Sequence, residues 1–253
     1  MIKRTTTDFG FQDVDSNEKT KLVNDLFKRV ANRYDLMNDV MSLGIHRWWK
    51  DQFIQRISPK KDEKFIDVAG GTGDIALRLL KKSTPLSNVT VYDINLNMLE
   101  EGRARAIDEG VIKGLQWICG TAENLPFPDN AFDVYTIAFG LRNITSKENA
   151  LKEAFRVLKP EGRFYCLEFS KVKHPLLEKA YSLYSFNIIP KIGALIAKDK
   201  AAYQYLVESI NRFPTQEELS LMIKEAGFVS VSYQNLTQGI VAIHEGIKDF
   251  KEA

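Results

Sequence analysis

A chain of 253 residues with 44% apolar content can bury a large core, and it sits near the upper size at which one domain is expected. Its 35 basic and 33 acidic residues nearly cancel to a net +2, which leaves no bulk field for wrapping a phosphate backbone and argues against nucleic acid as a partner. Cys119 and Cys166 stand far apart, with no C-x-x-C pair and no histidine at ligand spacing, so neither a metal site nor a disulfide framework is expected.

No stretch approaches the ~20 apolar residues a spanning helix needs, and Met1 to Thr7 has no signal-like run. The chain is therefore expected to be cytoplasmic, meeting a membrane only from its inner surface. After a polar start, Leu22, Leu26, Val30 and Tyr34 recur every fourth residue with Val23 and Phe27 beside them, which predicts an amphipathic helix. A second helix is expected over His46 to Ile57, stopped by Ser58-Pro59.

From residue 64 short apolar runs alternate with helical stretches, the pattern of a mostly parallel sheet covered by helices on both faces. Strands are expected at Lys64 to Val68, Asn88 to Asp93, Leu115 to Cys119, Phe132 to Ala138 and Gly162 to Glu168, with helices from about Asp74, Asn95 and Ser146. Thr145 and Glu148 have capping-box spacing, and Lys159-Pro160-Glu161-Gly162 reads as a plain turn. An aromatic-rich helical insertion over 171–214 follows, with Tyr181, Tyr184, Phe186, Tyr203 and Tyr205. Thr215 and Glu218 then open a last helix, and strands near Val229 to Leu236 and Gly239 to His244 complete seven. The expected organisation is one α/β, Rossmann-like domain: an N-terminal helical segment over 1–60, a cofactor-binding core over 61–170, the insertion, and the C-terminal helix and strands over 215–253.

Asp67-Val68-Ala69-Gly70-Gly71-Thr72-Gly73-Asp74 follows a strand and opens a helix, where a nucleotide-like ligand can approach bare backbone. Asp93 lies 20 residues beyond Gly73, at a strand end, where a carboxylate can accept both ribose hydroxyls. An adenosine-containing cofactor is the outcome. Gly71, Gly73 and Ala76 also satisfy a dinucleotide fingerprint. However, Asp67 suits a cationic amino-acid moiety better than a pyrophosphate. Thr121-Ala122-Glu123-Asn124-Leu125-Pro126-Phe127 supplies a polar-then-apolar edge suited to adenine.

Together these spacings resemble class I methyltransferases, with Ala69 standing where many members have glycine. Two longer segments narrow the resemblance: Tyr34-Asp35-Leu36-Met37-Asn38-Asp39-Val40-Met41-Ser42, running on through His46 to Trp49, and Arg156-Val157-Leu158-Lys159-Pro160-Glu161-Gly162-Arg163, running on to Leu167-Glu168-Phe169-Ser170. With Ala138-Phe139-Gly140-Leu141-Arg142-Asn143, they resemble the ubiquinone/menaquinone biosynthesis C-methyltransferases of the UbiE type. That resemblance implies S-adenosylmethionine as methyl donor and a polyprenyl benzoquinol or naphthoquinol as acceptor. It puts Thr72, Asp93, Thr121, Ala122 and Ala138 against the cofactor, with Asp67, Ala69, Gly71, Gly73 and Ile94 beside them. It also suggests a homodimer and contact with a membrane or a quinone-biosynthesis complex.

For the chemistry, Arg142 and Asn143 at one strand end, Glu168 at the next, and Tyr184 in the insertion are the candidates to steady a quinol oxygen. His174 and His46 are weaker ones. The insertion's Leu176, Leu177, Ile188, Ile189, Ile192 and Leu195 suit either a channel for the prenyl tail or ordinary core. Lys171, Lys173, Lys191, Lys198 and Lys200 form a basic cluster suited to a lipid surface or to plain solvation. Rival readings are a methyltransferase for another small acceptor and a non-catalytic, cofactor-binding scaffold.

Overall fold

The computed structural model describes residues 6–30, 42, 44–83, 88–173 and 200–249. Tyr34 to Met41 of the first signature, His174, Tyr184, the apolar positions Leu176 to Leu195 and the lysines 191 and 198 lie outside them.

Strands β1 (Thr6–Phe9) and β2 (Gln12–Asp15) form an antiparallel hairpin that leads into α1 (Ser16–Val30) and, later, α2 (His46–Ile57). Then come β3 (Lys64–Val68), α3 (Asp74–Lys82), β4 (Asn88–Asp93), α4 (Leu96–Asp108), β5 (Leu115–Cys119), β6 (Phe132–Ala138), α5 (Lys147–Val157) and β7 (Leu158–Phe169). The C-terminal part holds α6 (Lys200–Arg212), α7 (Gln216–Glu225), β8 (Val229–Leu236) and β9 (Val241–Ile247). The main sheet has seven strands in the order β5-β4-β3-β6-β7-β9-β8, and only β9 pairs antiparallel to its neighbours.

Because side chains alternate across a strand, neighbouring residues feed opposite layers. Phe65, Val134, Tyr165 and Leu167 pack with Phe53 and Ile57 of α2, Leu79 of α3 and Leu206 of α6. Ile66, Tyr135, Phe164 and Cys166 pack with Leu151 and Ala154 of α5 and with Leu219 and Ile223 of α7. Central β3 and β4 are therefore almost continuously buried, which explains their unbroken apolar runs, while edge strands β5 and β8 keep exposed positions.

Four local expectations are corrected. The polar start forms the hairpin, which tertiary contacts hold: Phe9 stacks on Tyr205 at 4.4 Å, and the Phe11 N–H donates to Glu208 Oε2 at 3.1 Å. Lys159 to Gly162 is a bulge inside β7 rather than a turn before it, since Phe132 pairs with Leu158 and Val134 already with Arg163. The cap of α5 is Ser146, whose hydroxyl accepts the Asn149 N–H at 3.3 Å, while the Thr145 N–H goes to Glu123 Oε1 at 3.1 Å. The last strand starts at Val241, after a short 3-10 turn over Thr237–Gly239. The Thr215 and Glu218 capping box forms as expected. In α1 the buried apolar face is Val23 and Leu26, with Leu22 half-exposed.

Candidate active site

The chain builds β3, β4 and β5 outward and then returns to lay β6 on the other side of β3, so the strand order reverses between β3 and β6. A crevice opens at the carboxyl ends of strands at such a point. The loop after β3, the ends of β4 and β6 and the loop after β5 meet there around one cavity. Asp67, Ala69, Gly71, Thr72, Asp93, Ile94, Thr121, Ala122 and Ala138 all line it. Gly73 does not; it sits at φ 75° before α3, where a Cβ would come within 2.5 Å of the Trp117 ring. Its part is to let the loop turn tightly beside that indole.

The charges are arranged for a cation. Asp67 is 1% exposed; the Thr136 hydroxyl donates to its Oδ1 at 2.8 Å, and its Oδ2 is buried with no hydrogen-bond partner. Burial pushes its pKa up to about 7, against the Thr136 hydrogen bond, and the nearby Asp74 and Asp93 add to the rise. Asp93 accepts the Gly71 N–H on Oδ2 at 2.9 Å and the Asn95 N–H on Oδ1 at 2.8 Å, which locks its orientation. Each oxygen keeps a lone pair for a ligand hydroxyl. Burial also raises the Asp93 pKa, with those backbone donors opposing it.

Sequence reasoning missed Lys50 and Asp74, which also line the cavity. Lys50 donates to Asp74 Oδ2 at 2.7 Å and Arg78 to its Oδ1 at 2.9 Å. Burial alone would raise the Asp74 pKa, but the two cations bring it down to about 2. The missed lining residues Thr20, Val23 and Asn24 come from α1, where a spacing of three and four puts them on one face. The apolar period drew attention to Leu22 and its repeats instead.

Of the four candidates for chemistry, Asn143 lines the cavity, and Tyr205 donates its hydroxyl to Asn143 Oδ1 at 3.0 Å. Arg142 and Glu168 do not line it; they face each other beneath, 3% and 1% exposed, with Nη1 and Oε1 2.8 Å apart. The Arg142 guanidinium also meets the Phe139 carbonyl and lies 5.5 Å from the Phe169 ring centroid. Tyr184 is outside the described residues. His46 is buried, its N–H donating to Ser42 Oγ at 3.1 Å, and Trp49 packs on Phe139 and Phe169. Lys171 donates to the Ile210 carbonyl at 3.2 Å and Lys173 to Glu217 at 2.7 Å, so both lysines of the basic cluster whose side chains are described have partners in the fold. Among the described residues no group of three or more His, Cys, Asp or Glu side chains is gathered as a metal site.

A sequence profile described as the ubiE/COQ5 methyltransferase family matches residues 13–248. The chain belongs to that family. A ubiquinone/menaquinone biosynthesis C-methyltransferase UbiE from Rickettsia bellii is 55% identical over 245 residues, 96% of this chain and 98% of that protein. One from Brucella abortus is 54% identical over 242 residues, 95% of this chain and 90% of that protein. The fold is also that of an S-adenosylmethionine-dependent methyltransferase from Thermotoga maritima, at TM-score 0.64 and 22% identity over 90% of this chain and 100% of that one.

In this ubiE/COQ5 member the loop carries Ala69, which the structure holds at φ 52°, a conformation costly for any residue with a Cβ. Its methyl also fixes what stands opposite: a Cβ on Gly140 would lie 2.4 Å from the Ala69 Cβ. Gly140→Ala is expected to cost about 1–3 kcal/mol through this overlap of two rigid groups. Ala69→Gly removes both the overlap and the strained methyl, so the double variant should regain most of the loss in thermal unfolding. A Gly140→Ala loss that persists unchanged in the Ala69→Gly background would show that the clash lies elsewhere.

Proposed function

We propose that this chain transfers the methyl group of S-adenosylmethionine to a ring carbon of a polyprenyl quinol, in ubiquinone or menaquinone biosynthesis. The acceptor class rests on one observation: the identity above 50% to UbiE enzymes along nearly the whole chain. The cavity supports the donor. Asp67 Oδ2, buried and unpartnered, suits the cofactor's ammonium, Asp93 its ribose hydroxyls, and Lys50 its carboxylate. Thr121 and Ala122, which line the same cavity, suit the adenine edge, and a dinucleotide pyrophosphate would meet Asp67 and Asp74 as like charges. When bound, the cofactor supplies an electrophilic sulfonium methyl.

The displaced ring proton passes to water as S-adenosylhomocysteine leaves; the rest is positioning. A reduced ring is the sensible nucleophile, because its hydroxyls push electron density onto the adjacent carbon. Holding that carbon in line with the methyl contributes about 7–11 kcal/mol. Tyr205 occupies Asn143 Oδ1, and the Asn143 NH2 is thereby left to donate to a quinol oxygen. The Arg142–Glu168 pair supports the segment carrying Asn143, since the Arg142 N–H itself donates to Glu168 Oε2 at 3.3 Å. A prenyl tail keeps the acceptor in the bilayer, so the enzyme meets it as a peripheral protein at the inner membrane face. Among the described residues no helix is long and apolar enough to cross a membrane.

The test is incubation of purified protein with methyl-labelled S-adenosylmethionine and vesicles carrying short-chain demethylmenaquinol or methoxy-polyprenyl-benzoquinol, kept reduced. Labelled ring product from either is expected, and the relative rates assign the pathway. Cofactor binding without product from either quinol would overturn the acceptor and leave another small acceptor or a scaffold.

Cofactor affinity should also depend on pH. Below about 7 the empty site keeps Asp67 protonated, whereas a bound ammonium needs the carboxylate. Binding must then release a proton, and affinity falls by up to about tenfold per pH unit below that value and levels off above it. Calorimetry in buffers of different ionisation enthalpy reads the proton directly; proton-neutral binding at pH 6 would exclude Asp67 as the group that meets the ammonium.

A further inference from the structure

Helix α1 crosses the cofactor cavity from rim to rim. At one end the Thr20 hydroxyl meets the Thr145 hydroxyl at 3.0 Å, in the segment that follows β6. Beside it the buried Lys19 donates to Asp8 Oδ1 at 3.2 Å and to the Ile144 carbonyl at 3.4 Å, pinning hairpin and helix to that segment. One turn on, the Asn24 carbonyl accepts from Asn95 Nδ2 at 3.5 Å, two residues beyond Asp93 at the end of β4. Val23, between them, is 6% exposed.

The side chain of Asn24 is left with a debt in this arrangement. Its Oδ1 is buried and has no hydrogen-bond partner, although the residue lines the cavity. An orphaned buried acceptor is unfavourable, and native structures rarely keep one without a reason. Asp67 Oδ2 is a second buried orphan acceptor on a residue that lines the same cavity. Two unpartnered acceptors on residues lining one cavity fit a ligand with two separate donors. The ammonium accounts for Asp67; the neighbourhood of Asn95 and Asp93 puts Asn24 at the nucleoside end, where ribose hydroxyls and the adenine amino group are the donors.

We propose that α1 is a lid over the cofactor and that the Asn24 amide fastens it by accepting a hydrogen bond from the nucleoside part of S-adenosylmethionine. This rests on the reading that the cavity holds that cofactor. α1 already lies against the cavity through Lys19, Thr20 and Asn24, and a bound cofactor satisfies the orphaned oxygen, so binding tightens the lid.

Asn24→Leu keeps the side-chain bulk and deletes the acceptor, which gives the proposal a signature of opposite signs. The ligand-free variant should melt at or above the wild-type temperature, because the buried orphan is gone. Calorimetric affinity for S-adenosylmethionine and S-adenosylhomocysteine should fall in parallel, by about 5- to 30-fold, since the contact is with the nucleoside they share. Hydrogen exchange of residues 16–30 should slow on saturation of the wild type with S-adenosylhomocysteine, and less so in the variant. Wild-type affinity in both Asn24→Leu and Asn24→Ala, or unchanged exchange in α1, would overturn the proposal. So would affinity lost only together with ligand-free stability, the mark of a packing role. Failure of the wild type to bind either ligand would instead remove the cofactor reading beneath it.

Discussion

Glu168→Ala is expected to lower folding stability by about 3–5 kcal/mol, among the largest losses any single replacement in this chain should produce. The reason is what it leaves behind. The Arg142 guanidinium, 3% exposed, would lose its counter-ion, and its Nε already has no hydrogen-bond partner. The same deletion strips the acceptor from the Arg142 N–H and from the Phe169 N–H, held at 2.9 Å by Glu168 Oε1. Urea unfolding of the intact chain measures this directly. Glu168→Gln, which retains an acceptor but not the charge, should fall between. Combining Arg142→Met with Glu168→Leu should recover only the part due to the unpaired ion, because the Arg142 and Phe169 N–H groups still lack their acceptor. A Glu168→Ala loss below about 1 kcal/mol, the range of exposed pairs, would mean that water reaches the guanidinium.

Asp93→Ala is expected to weaken S-adenosylmethionine binding by about two to four orders of magnitude. Hydrogen bonds to a charged group contribute about 1.5–3 kcal/mol each, two ribose hydroxyls are at stake, and 1.4 kcal/mol is a factor of ten. The carboxylate also anchors the Gly71 and Asn95 N–H groups, so part of the loss will arrive through a loosened loop. Asp93→Asn separates the two contributions: its amide oxygen can hold one backbone donor and one hydroxyl, whereas its NH2 repels the other pair. Isothermal calorimetry with ligand-free melting as a control reads both. Affinity within about threefold of wild type in Asp93→Ala would place the ribose elsewhere.

How much of this was legible before any coordinates depends on whether a signal is local. The strands over residues 64–68, 88–93 and 132–138 were legible to the residue because buried parallel strands are apolar along nearly their whole length and turn residues bound them; the edge strands over 115–119 and 229–236 were legible from β-branched and aromatic residues between turn residues. The glycine loop and Asp93 were legible for a related reason: a close backbone approach demands small residues at fixed spacing after a strand. Gly73 marks the limit of that logic, since its glycine answers to Trp117, a side chain on another strand.

The hairpin over residues 6–15 had no apolar alternation to announce it; Tyr205 and Glu208, some two hundred positions away, hold it. Nor does anything near Arg142 or Glu168 in the chain reveal that they pair, because β6 and β7 bring their ends together only after the sheet has formed. The polar face of α1 is the clearest case. Local pattern made it a helix by apolar period alone, yet Lys19, Thr20 and Asn24 acquire their partners from the hairpin and from the ends of β4 and β6. Period and turn chemistry act between residues a few positions apart and can be read along the chain. Charge pairing, burial of polar atoms and the closing of a cavity act between residues that only the finished fold makes neighbours.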